Sequence, residues 1–570
     1  MIISDFLSNY SDQTINRILI NNNILGNNIS KEGLYSDLSF FNDNNSLIDK
    51  IDQSITPLGT HLLKETICYP ITDIQILKKR QELCKFLSTN KAMNNKILDK
   101  LANINNNIND IKWFWEERTE EEETLLKSLY FQNKYLKLLN KNSVFLQVYQ
   151  YYNNIAGPLI SIVSPIVMII LPYIIVRYIT KIPIPFKPYL KVLLLYYKTM
   201  IISKQYTNIV LSIIIPIGSY IHNLFNIVNI CKNIHRITKQ LHKRLNVLKD
   251  IIDFYKETNT MFDEYRTVIP KVNDNIEIYI NKEFNYFSNK GHVSFEYNRI
   301  INSLKMIQPY IKYIANIDMY YGISSLMNKG NKYMFTYSKY GNNLKISNMW
   351  YPLINMDNIV TNSVNMKKNK NILITGPNAG GKSTYIRNII LNILLSQTIG
   401  ISSSKSCEIP IYNLIRTHID IPDKEGHESL FEAEINRFSE LMNDIENNEK
   451  NGFNSFIAVD EIFNSTNYIE GVSASYSICK ELSKKNKLNS IITTHFNYLT
   501  KLEKTTKGKF KNYRVIINRK DKDIIFKYKI SKGISNDFIA LDLLEKRDFN
   551  KEIIKNAQSI KLKLDNYLKL

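Results

Sequence analysis

Apolar residues follow a helical spacing in much of the chain and form short strand-like runs near its end. Between residues 35 and 140, apolar positions recur every three or four residues, as at Leu58 and Leu62. The same spacing returns between residues 241 and 327. Residues 1–34 are polar and rich in asparagine, without strong periodicity, and are predicted to be a short lead-in.

The last part of the chain has a different pattern. Alternating apolar residues and glycine in 333–347 are typical of strands, and beyond residue 348 short apolar runs alternate with helical segments. These runs are residues 371–374, 455–459 and 490–494. The pattern predicts an α/β domain with a parallel sheet over 348–570. A mostly α-helical core or lever domain precedes it, in two parts at 35–140 and 251–347.

Two uncharged runs, 142–176 and 205–231, lie between the two helical parts. The core of the first, residues 157–176, has the roughly 20 residues that a helix needs to cross hydrocarbon, although its three prolines would kink it. The second core, 209–230, contains Asn, His, Ser and Pro and is a weaker span. Segment 141–250 is therefore predicted to hold two transmembrane helices or, alternatively, a buried helix pair.

Positive charge is concentrated around these runs. The net charge is +21, and residues 124–249 contain sixteen Lys and Arg but no Asp or Glu. This excess favours an acidic partner, either nucleic acid or an anionic membrane. Six of the sixteen lie between the runs, with four before and six after, which favours both flanks on the cytosolic side of a membrane.

The cysteines and the N-terminus bear on the compartment. The five cysteines are scattered, without the close spacing of a metal site or a redox pair, which favours an intracellular, reducing compartment. The first residues lack the pattern of a secretory signal. If the apolar runs enter a membrane, the α/β domain is expected on its cytosolic side.

A glycine-rich loop follows the apolar run Ile372–Ile374 and precedes an apolar helix predicted at Tyr385–Leu395. The loop and helix start consist of Gly376, Pro377, Asn378, Ala379, Gly380, Gly381, Lys382, Ser383 and Thr384. Such a loop turns backbone N–H groups toward phosphate oxygens, while Lys382 reaches the outer phosphates and the Ser383 hydroxyl ligates Mg²⁺. The motif predicts a nucleotide site for ATP and Mg²⁺.

Three further side chains follow strand ends at the same sheet edge. Asp460 and Glu461 end one predicted strand, and His495 ends another. We expect Asp460 to hold Mg²⁺ through water, Glu461 to polarise the attacking water, and His495 to sense or orient the γ-phosphate.

These motifs together resemble the MutS family of ATPases, best known from DNA mismatch recognition. Residues 375–385, TGPNAGGKSTY, resemble the family's phosphate loop, and residues 460–471 keep the spacing of its DEI…GT…G segment. Thr494-His495 matches its TH pair, and Lys532-Gly533 lies at its C-terminal glycine turn. Ser429–Glu434, SLFEAE, resembles a loop whose serine, in the family, reaches across a dimer into the partner's nucleotide site.

The helical part carries the resemblance further upstream. Thr56–Gly59, Arg80, Asp318 and Trp350–Pro352 follow the order of family landmarks, so the resemblance covers about residues 35–110 and 300–560. It implies a dimer, expected to be a homodimer, in which Ser429 acts in trans on the partner's loop. Only some 35 residues precede the helical core and no Phe-x-Glu tripeptide lies there, which predicts a divergent member that lacks the N-terminal mismatch-recognition domains.

Three functions fit these features. The leading hypothesis is a MutS-like, DNA-dependent ATPase, related to mismatch repair or recombination, that clamps DNA through its phosphates without reading mismatches directly. The alternative is a membrane-anchored MutS-related ATPase without mismatch recognition, attached through 157–176 and 209–230. The third is an inactive scaffold, against which the complete set of Lys382, Ser383, Asp460, Glu461 and His495 argues.

Overall fold

A computed structural model describes most of the chain. The described residues are 12–19, 29–41, 46–179, 181–202, 210, 214–273, 275–281, 283–285, 289–328, 332–419, 430–463, 466–520, 523–535 and 549–567. They form two compact units. The sheet unit comprises the chain up to Asn106, Asn259–Lys271 and the chain from Lys312 onward, and the helical unit comprises Asn107–Thr258 and Val272–Ile311. The domain boundaries predicted at residues 34, 140, 250 and 347 remain predictions.

Within the described residues, six helices open the sheet unit. They are α1 (Gln13–Leu19), α2 (Glu32–Asp37), α3 (Leu47–Ile51), α4 (Pro57–Cys68), α5 (Ile74–Thr89) and α6 (Lys91–Asn106). The Thr56 side chain caps α4 by accepting a hydrogen bond from Gly59 N, and Pro57 occupies the first turn, where its missing N–H costs nothing. Helix α1 buries Ile15, Ile18 and Leu19, so part of the predicted polar lead-in is folded; seven residues are too few to display a period in sequence.

The helical unit is built from long and short helices. They are α7 (Ile108–Lys112), α8 (Glu120–Lys127), α9 (Ser143–Tyr151), α10 (Gly157–Ile174), α11 (Phe186–Ile202), α12 (Ile215–Thr258) and α13 (Lys290–Ile301). The next helix, α14 (Leu304–Asn328), belongs to the helical unit up to Ile311 and to the sheet unit from Lys312. The π-helical turn Tyr152–Ala156 joins α9 to α10, and a second such turn, Ile175–Ile179, extends α10, so that one continuous helix runs from Ser143 to Ile179.

The described part of the chain has one helix that is long and apolar enough to cross a membrane, Ser143–Ile179. It has 37 residues, and only 6% of its most apolar 18-residue window is buried. Length and composition alone support this candidate span. The second predicted span, 209–230, lies partly outside the described residues, and its described end forms the first turns of α12.

The remainder of the sheet unit alternates strands with helices. Its strands are β1 (Thr336–Tyr337), β2 (Lys339–Tyr340), β3 (Leu344–Met349), β4 (Asn362–Met366), β5 (Asn371–Thr375), β6 (Ile401–Ser402), β7 (Ser406–Ile409), β8 (Leu414–His418), β9 (Ser455–Asp460), β10 (Leu488–Thr494), β11 (Phe510–Lys520) and β12 (Asp523–Lys532). Its helices are α15 (Lys382–Thr398), α16 (Leu430–Lys450), α17 (Tyr468–Leu482), α18 (Leu502–Thr505) and α19 (Lys551–Tyr567).

The main sheet has six strands in the order β12-β11-β5-β10-β9-β8. All neighbours are parallel except β11 and β12, which form an antiparallel hairpin. Every residue of β5, β8 and β10 is buried, as expected for parallel strands that are covered on both faces. A four-stranded sheet, β2-β7-β3-β4, and a two-stranded pair, β1-β6, accompany it.

Strands occupy the three predicted positions, and each is one or two residues longer than its apolar run. Helix α15 begins at Lys382, three residues before the predicted start at Tyr385, because its first turn is polar and adds no apolar signal. The observed architecture, mostly helical with an α/β sheet domain, agrees with the predicted fold class. Since β5, β9 and β10 are adjacent and parallel, their carboxyl ends lie at one edge of the sheet.

Candidate functional site

A cleft of about 1120 Å³ opens at the carboxyl edge of the main sheet. Its lining includes Pro377, Asn378, Ala379, Gly380, Gly381, Lys382, Ser383, Thr384, Asp460 and Glu461. Nearly the whole predicted phosphate loop and both predicted carboxylates therefore face one cavity. A cavity of this size suits a nucleotide-sized ligand.

The loop between β5 and α15 has the backbone of a phosphate-binding turn. Gly381 has a φ of +88° and caps α15, and Ala379 has a φ of +63°. Gly376 approaches β11 so closely that an added Cβ would lie 2.7 Å from Val515 Cγ2. The loop therefore needs glycine at 376 and 381, and it directs the N-terminus of α15 toward the cleft, where the helix dipole favours an anion.

The Lys382 ammonium is buried at the centre of the loop. Its Nζ donates to Gly376 O at 2.9 Å and to Asn378 Oδ1 at 3.2 Å, and it lies 3.1 Å from Glu461 Oε1. The side chain is only 4% exposed. These contacts hold the positive charge inside the loop, where a bound phosphate would meet it.

The turn after β9 positions both carboxylates. Glu461 has a φ of +54°, an uncommon conformation for a residue with a side chain. Its N–H is fixed by Thr493, whose carbonyl and hydroxyl oxygens each lie 3.2 Å away. The Thr493 hydroxyl in turn donates to Asp460 Oδ1. One threonine on β10 therefore fixes the carboxylate pair on β9.

His495 follows β10 and completes the edge. Its Nδ1 lies 3.8 Å from Glu461 Oε2, and its ring packs 4.3 Å from that of Phe496. Burial, assisted by the positive charge of Lys382, lowers the pKa of His495 below its ordinary 6.5, although Glu461 opposes the shift. The imidazole is therefore mainly neutral at pH 7.

The oxygen donors of the cleft suit magnesium. Ser383 and Asp460 both line the cavity. Among the residues that the structure describes, no group of three or more His, Cys, Asp and Glu could hold a metal ion on its own. Mg²⁺ in nucleotide enzymes takes one or two protein oxygens and completes its shell with water and phosphate, so this donor set fits it.

One predicted site residue, Ser429, lies outside the described residues. Two residues of the same motif can be placed, because α16 begins at Leu430 and Glu434 is buried and lines the cleft. The motif thus leads directly to the nucleotide cleft of its own chain. The role of Ser429 in trans stays a prediction.

The sequence reasoning missed the aromatic rim of the cleft. Phe526 and Tyr528 of β12 line it with rings stacked 6.0 Å apart, and Tyr528 Cδ1 lies 3.2 Å from where a Gly381 Cβ would be. Asn362 of β4 holds this strand by donating to Tyr528 O and accepting from Ile530 N. The alternating pattern of β12 indicates a strand, but no local signal shows that it borders the phosphate loop.

The C-terminal end of α15 is held by Ile71, which precedes α5, and by Arg80, which lies within α5. Ile71 N donates to Gln397 O at 2.9 Å, and the Arg80 guanidinium donates to Thr398 O at the helix C-terminus. A cation there satisfies a terminal carbonyl and complements the helix dipole. The helix that begins in the cleft is therefore anchored at both ends.

A buried carboxylate joins α4 to α14. Asp318 accepts from Ile55 N and Thr56 N, both at 2.8 Å, and from Thr56 Oγ1 at 2.6 Å. Gly59 leaves no room for a Cβ here, since one would lie 2.3 Å from Asp318 Oδ2. Burial raises the pKa of Asp318 to about 6. This contact accounts physically for the predicted landmarks Thr56–Gly59 and Asp318.

Two protein-family models match the chain. MutS domain III matches residues 20–140, and MutS domain V matches residues 372–565, the part that carries the cleft. These two matches leave residues 141–371 uncovered, including the apolar segment.

Curated relatives agree with the family models. The DNA mismatch repair protein MutS of Prochlorococcus marinus strain MIT 9301 is 29% identical over 284 residues, which are 48% of this chain and 30% of that protein. MutS of Clostridioides difficile strain 630 is 28% identical over 284 residues, 48% of this chain and 29% of that protein. MutS of Persephonella marina is 31% identical over 224 residues, 39% of this chain and 25% of that protein. The matched part thus spans under a third of these relatives. The chain is a divergent MutS-like protein that carries matches to MutS domains III and V.

Proposed function

We propose that the chain binds and hydrolyses ATP with Mg²⁺ in the cleft of the sheet unit. The observation that carries this proposal is the 3.1 Å contact between Lys382 of the phosphate loop and Glu461 of the neighbouring strand end. A cation that binds phosphate and a carboxylate that can polarise water thereby share one cavity, as phosphoryl transfer requires.

Each side chain has a role that follows from its position. The amides after Gly376 and the Lys382 ammonium bind the phosphate chain, which replaces Glu461 as the partner of Lys382. Ser383 and Asp460 hold Mg²⁺, which neutralises phosphate charge when it is bound. Glu461, once free of Lys382, orients and polarises a water molecule, and the neutral His495 positions the γ-phosphate.

The aromatic rim gives the nucleobase a surface. Tyr528 is half-exposed and borders the loop at Gly381, and Phe526 stacks behind it. A purine can stack on such a ring without a base-specific hydrogen bond. We therefore assign the base to the β12 side of the cleft and the phosphates to the α15 side.

A dimer and DNA complete the leading hypothesis. In this proposal, two chains form composite sites, with Ser429 of one chain facing the loop of the other, and ATP drives their rearrangement. The positive charge of residues 124–249 would contact DNA phosphates. The MutS domain matches support both steps at the level of the family, since DNA mismatch repair is named for the relatives.

A second candidate is a MutS-related ATPase that works attached to a membrane, with the sheet unit on the cytosolic side and no mismatch recognition. The exposed, apolar helix Ser143–Ile179 favours it. The same nucleotide chemistry applies to both candidates, so they differ in the partner of the helical unit.

Replacing Lys382 tests the nucleotide site. Lys382→Ala is expected to lose Mg·ATP binding and to lower turnover by about 100-fold or more, because one preorganised charge in such a site contributes that much. Lys368→Ala, which removes a lysine from the turn before β5, is the matched control. Equal binding and turnover in Lys382→Ala and the parent would refute the assignment.

Mixed dimers test the composite site. Chains with Ser429→Ala are mixed with chains with Lys382→Ala at varied ratios, and phosphate release is recorded for each mixture. If the sites are shared, the mixtures turn over ATP faster than the average of the two separate preparations. The reason is that a mixed dimer has one intact site, formed by Lys382 of one chain and Ser429 of the other. A strictly averaged rate at every ratio would show that each chain works alone.

Salt dependence tests DNA binding. If the basic segment binds DNA phosphates, the logarithm of the affinity for a duplex falls linearly with the logarithm of the salt concentration and is insensitive to sequence. An affinity unchanged by salt, or no affinity at low salt, would remove DNA from the proposal and leave the membrane candidate.

A further inference from the structure

Most side chains in the second half of the helix Ser143–Ile179 are apolar and exposed, apart from its contacts with α11 and α12. Its exposed residues include Ile160, Ile162, Ile166, Val167, Met168 and Leu171, each between 48% and 75% exposed. The first half is different, since one of its faces is buried at Leu146 and Gln150, whereas Val144 and Val148 are exposed. One continuous helix therefore leaves the protein core part of the way along its length.

Helix α12 divides in the same manner. Its first turns expose Ile215, Ile217, Ile221, Phe225, Val228 and Ile230. From Cys231 onward, the same helix buries a regular series that begins with Ile234 and Ile237 and continues to Thr258. The apolar face of α12 is exposed before Cys231 and buried after it. The protein core therefore ends near Cys231 on this helix.

The two helices leave the protein core at neighbouring residues, Asn154 and Cys231, which define a common level across the pair. Cys231 Sγ donates to Asn153 O at 3.5 Å, so the transition in α12 lies beside the transition in the other helix. Polar groups mark this level on the protein side, where Asn154 donates to Gln150 O and accepts from Lys290 Nζ at 3.2 Å. Above this level the two helices still meet, through Tyr220 OH and Ile162 O at 3.1 Å.

The opposite end of the exposed helix is basic and aromatic. Tyr173 packs 4.9 Å from Phe186 and 5.3 Å from Tyr189, and Tyr189 OH donates to Ile169 O. Arg177 lies over the Tyr173 ring and donates to its hydroxyl. Aromatic rings with a basic residue are typical of the boundary between hydrocarbon and headgroups.

The spacing of these two ends matches a bilayer. From Asn154 to Arg177 the helix rises by about 35 Å at 1.5 Å per residue. The hydrocarbon core of a bilayer is about 30 Å thick. Polar side chains therefore lie at one end of an apolar stretch of this length, and basic and aromatic side chains lie at the other end. This is the order expected of a helix that crosses a membrane.

The positive charge of residues 124–249 favours anionic lipids in the membrane. All sixteen charged side chains between residues 124 and 249 are Lys or Arg. On the protein side of the level, Lys232, Arg236 and Lys239 are exposed on α12, where a headgroup layer would contact them. These basic groups attract anionic headgroups, although Glu121 and Glu122 lie near Arg236.

We propose that Gly157–Ile174 and the first turns of α12 insert into a bilayer that contains anionic lipid, and that the protein core stops at the level of Asn154 and Cys231. This inference rests on the second candidate function and names its partner. It requires nothing of the nucleotide cleft, so either can fail without the other.

Flotation with vesicles tests the proposal. The full chain, purified in mild detergent, is reconstituted with vesicles of phosphatidylcholine alone or with phosphatidylglycerol, floated on a density gradient and washed with high salt or alkaline carbonate. Ile162→Glu/Ile166→Glu places two charges on the exposed face, and Ile553→Glu/Ile560→Glu changes two isoleucines of α19 with matching exposure. ATP turnover is recorded for every preparation.

The proposal expects the parent and the α19 variant to float and to resist both washes, with more protein bound to anionic vesicles. Ile162→Glu/Ile166→Glu should lose most of the flotation and keep the parent's turnover in detergent. Three outcomes overturn it: flotation reversed by salt, equal flotation of the two double variants, and a chain that stays in solution as an oligomer, whose second copy then covers the apolar helices. Absent turnover with normal flotation would count against the ATPase alone.

Discussion

Helices α15 and α10 have almost the same length, and α10 is the more apolar of the two, yet α15 is the one that is buried. Fourteen of the seventeen residues of α15 are buried between the sheet and the helices of its unit. In α10, Tyr173 is the buried residue among eighteen, and it is covered by the aromatic rings of α11. Apolar composition alone therefore does not decide which helix is buried in the protein, because the elements packed around each helix decide it.

The difference also bears on the function proposed for each region. In α15 the dense packing fixes both ends of a helix whose first turn bears Lys382, so rigidity serves a preorganised site. In α10 the surface carries no charged side chain and extends over a length that suits hydrocarbon. The following predictions test this contrast, from the largest expected effect to the smallest.

A charge introduced into each helix tests the contrast most strongly. Ile390→Asp places a carboxylate in the fully buried face of α15 and is expected to lower the free energy of unfolding by more than about 4 kcal/mol. Ile166→Asp in α10, which is 55% exposed, should change it by less than about 0.5 kcal/mol in detergent. Denaturant unfolding of both variants measures this. Equal losses would mean that protein covers α10 in solution.

The buried Asp318 gives the sheet unit a pH dependence that α10, without ionisable groups apart from Tyr173, cannot have. Its folded pKa of about 6 exceeds the ordinary 3.8, so the folded state binds more protons between these values and loses stability as the pH rises through them. The contribution amounts to about 3 kcal/mol. Asp318→Asn should remove this part of the pH profile, whereas Asp99→Asn, on the exposed face of α6, should retain it. Unfolding at pH 4 and pH 7 compares the three proteins, and an unchanged profile in Asp318→Asn would contradict the burial argument.

His495 shows how strictly the site depends on its geometry. His495→Asn removes the ring beside Glu461 and is expected to lower ATP turnover by about 10- to 100-fold, the effect of one lost hydrogen bond to a charged group. Because burial lowers the pKa of His495, the parent's turnover should not fall between pH 8 and the ordinary His pKa of 6.5. A parent rate that falls as His495 gains a proton within this range would show that its pKa is not lowered.

Removing the Arg80 cation from the C-terminal end of α15 should have the smallest effect. Arg80→Ala leaves the Thr398 carbonyl without its cation and should lower the free energy of unfolding by about 1 kcal/mol. Lys78→Ala, an exposed change on the same helix, is the control and should be neutral. If both variants are neutral, the helix end is held by the Ile71 contact and by packing alone.

The sequence was most informative where local chemistry and local structure coincide. The glycine loop, its flanking strand and its helix are contiguous, so β5, α15 and the position of Lys382 were predictable from one short stretch. Asp460 and His495 were predictable because parallel strands end at one edge. Thr493 and Tyr528 were missed, because a bond between neighbouring strands and the closeness of β12 to the loop depend on sheet order.

The apolar segment shows the opposite limit. Its composition allowed a membrane span or a buried helix pair, and no residue in it distinguishes them. The division of α12 at Cys231 is visible only in three dimensions, since the apolar residues on its two sides are similar. When a partner outside the chain covers an apolar surface, the sequence pattern identifies the surface but does not identify the partner.

Hydrolysis by Glu461→Gln tests the central claim most directly. Phosphate release and Mg·ATP binding are measured for this variant and the parent under the same conditions, with Glu503→Gln, a partly exposed glutamate beside β11, as the control. The account predicts that Glu461→Gln binds Mg·ATP at least as well as the parent, because Lys382 loses a competing carboxylate, while turnover falls by about 100-fold. Turnover equal to the parent's would contradict it, because the carboxylate that meets Lys382 would then have no part in hydrolysis.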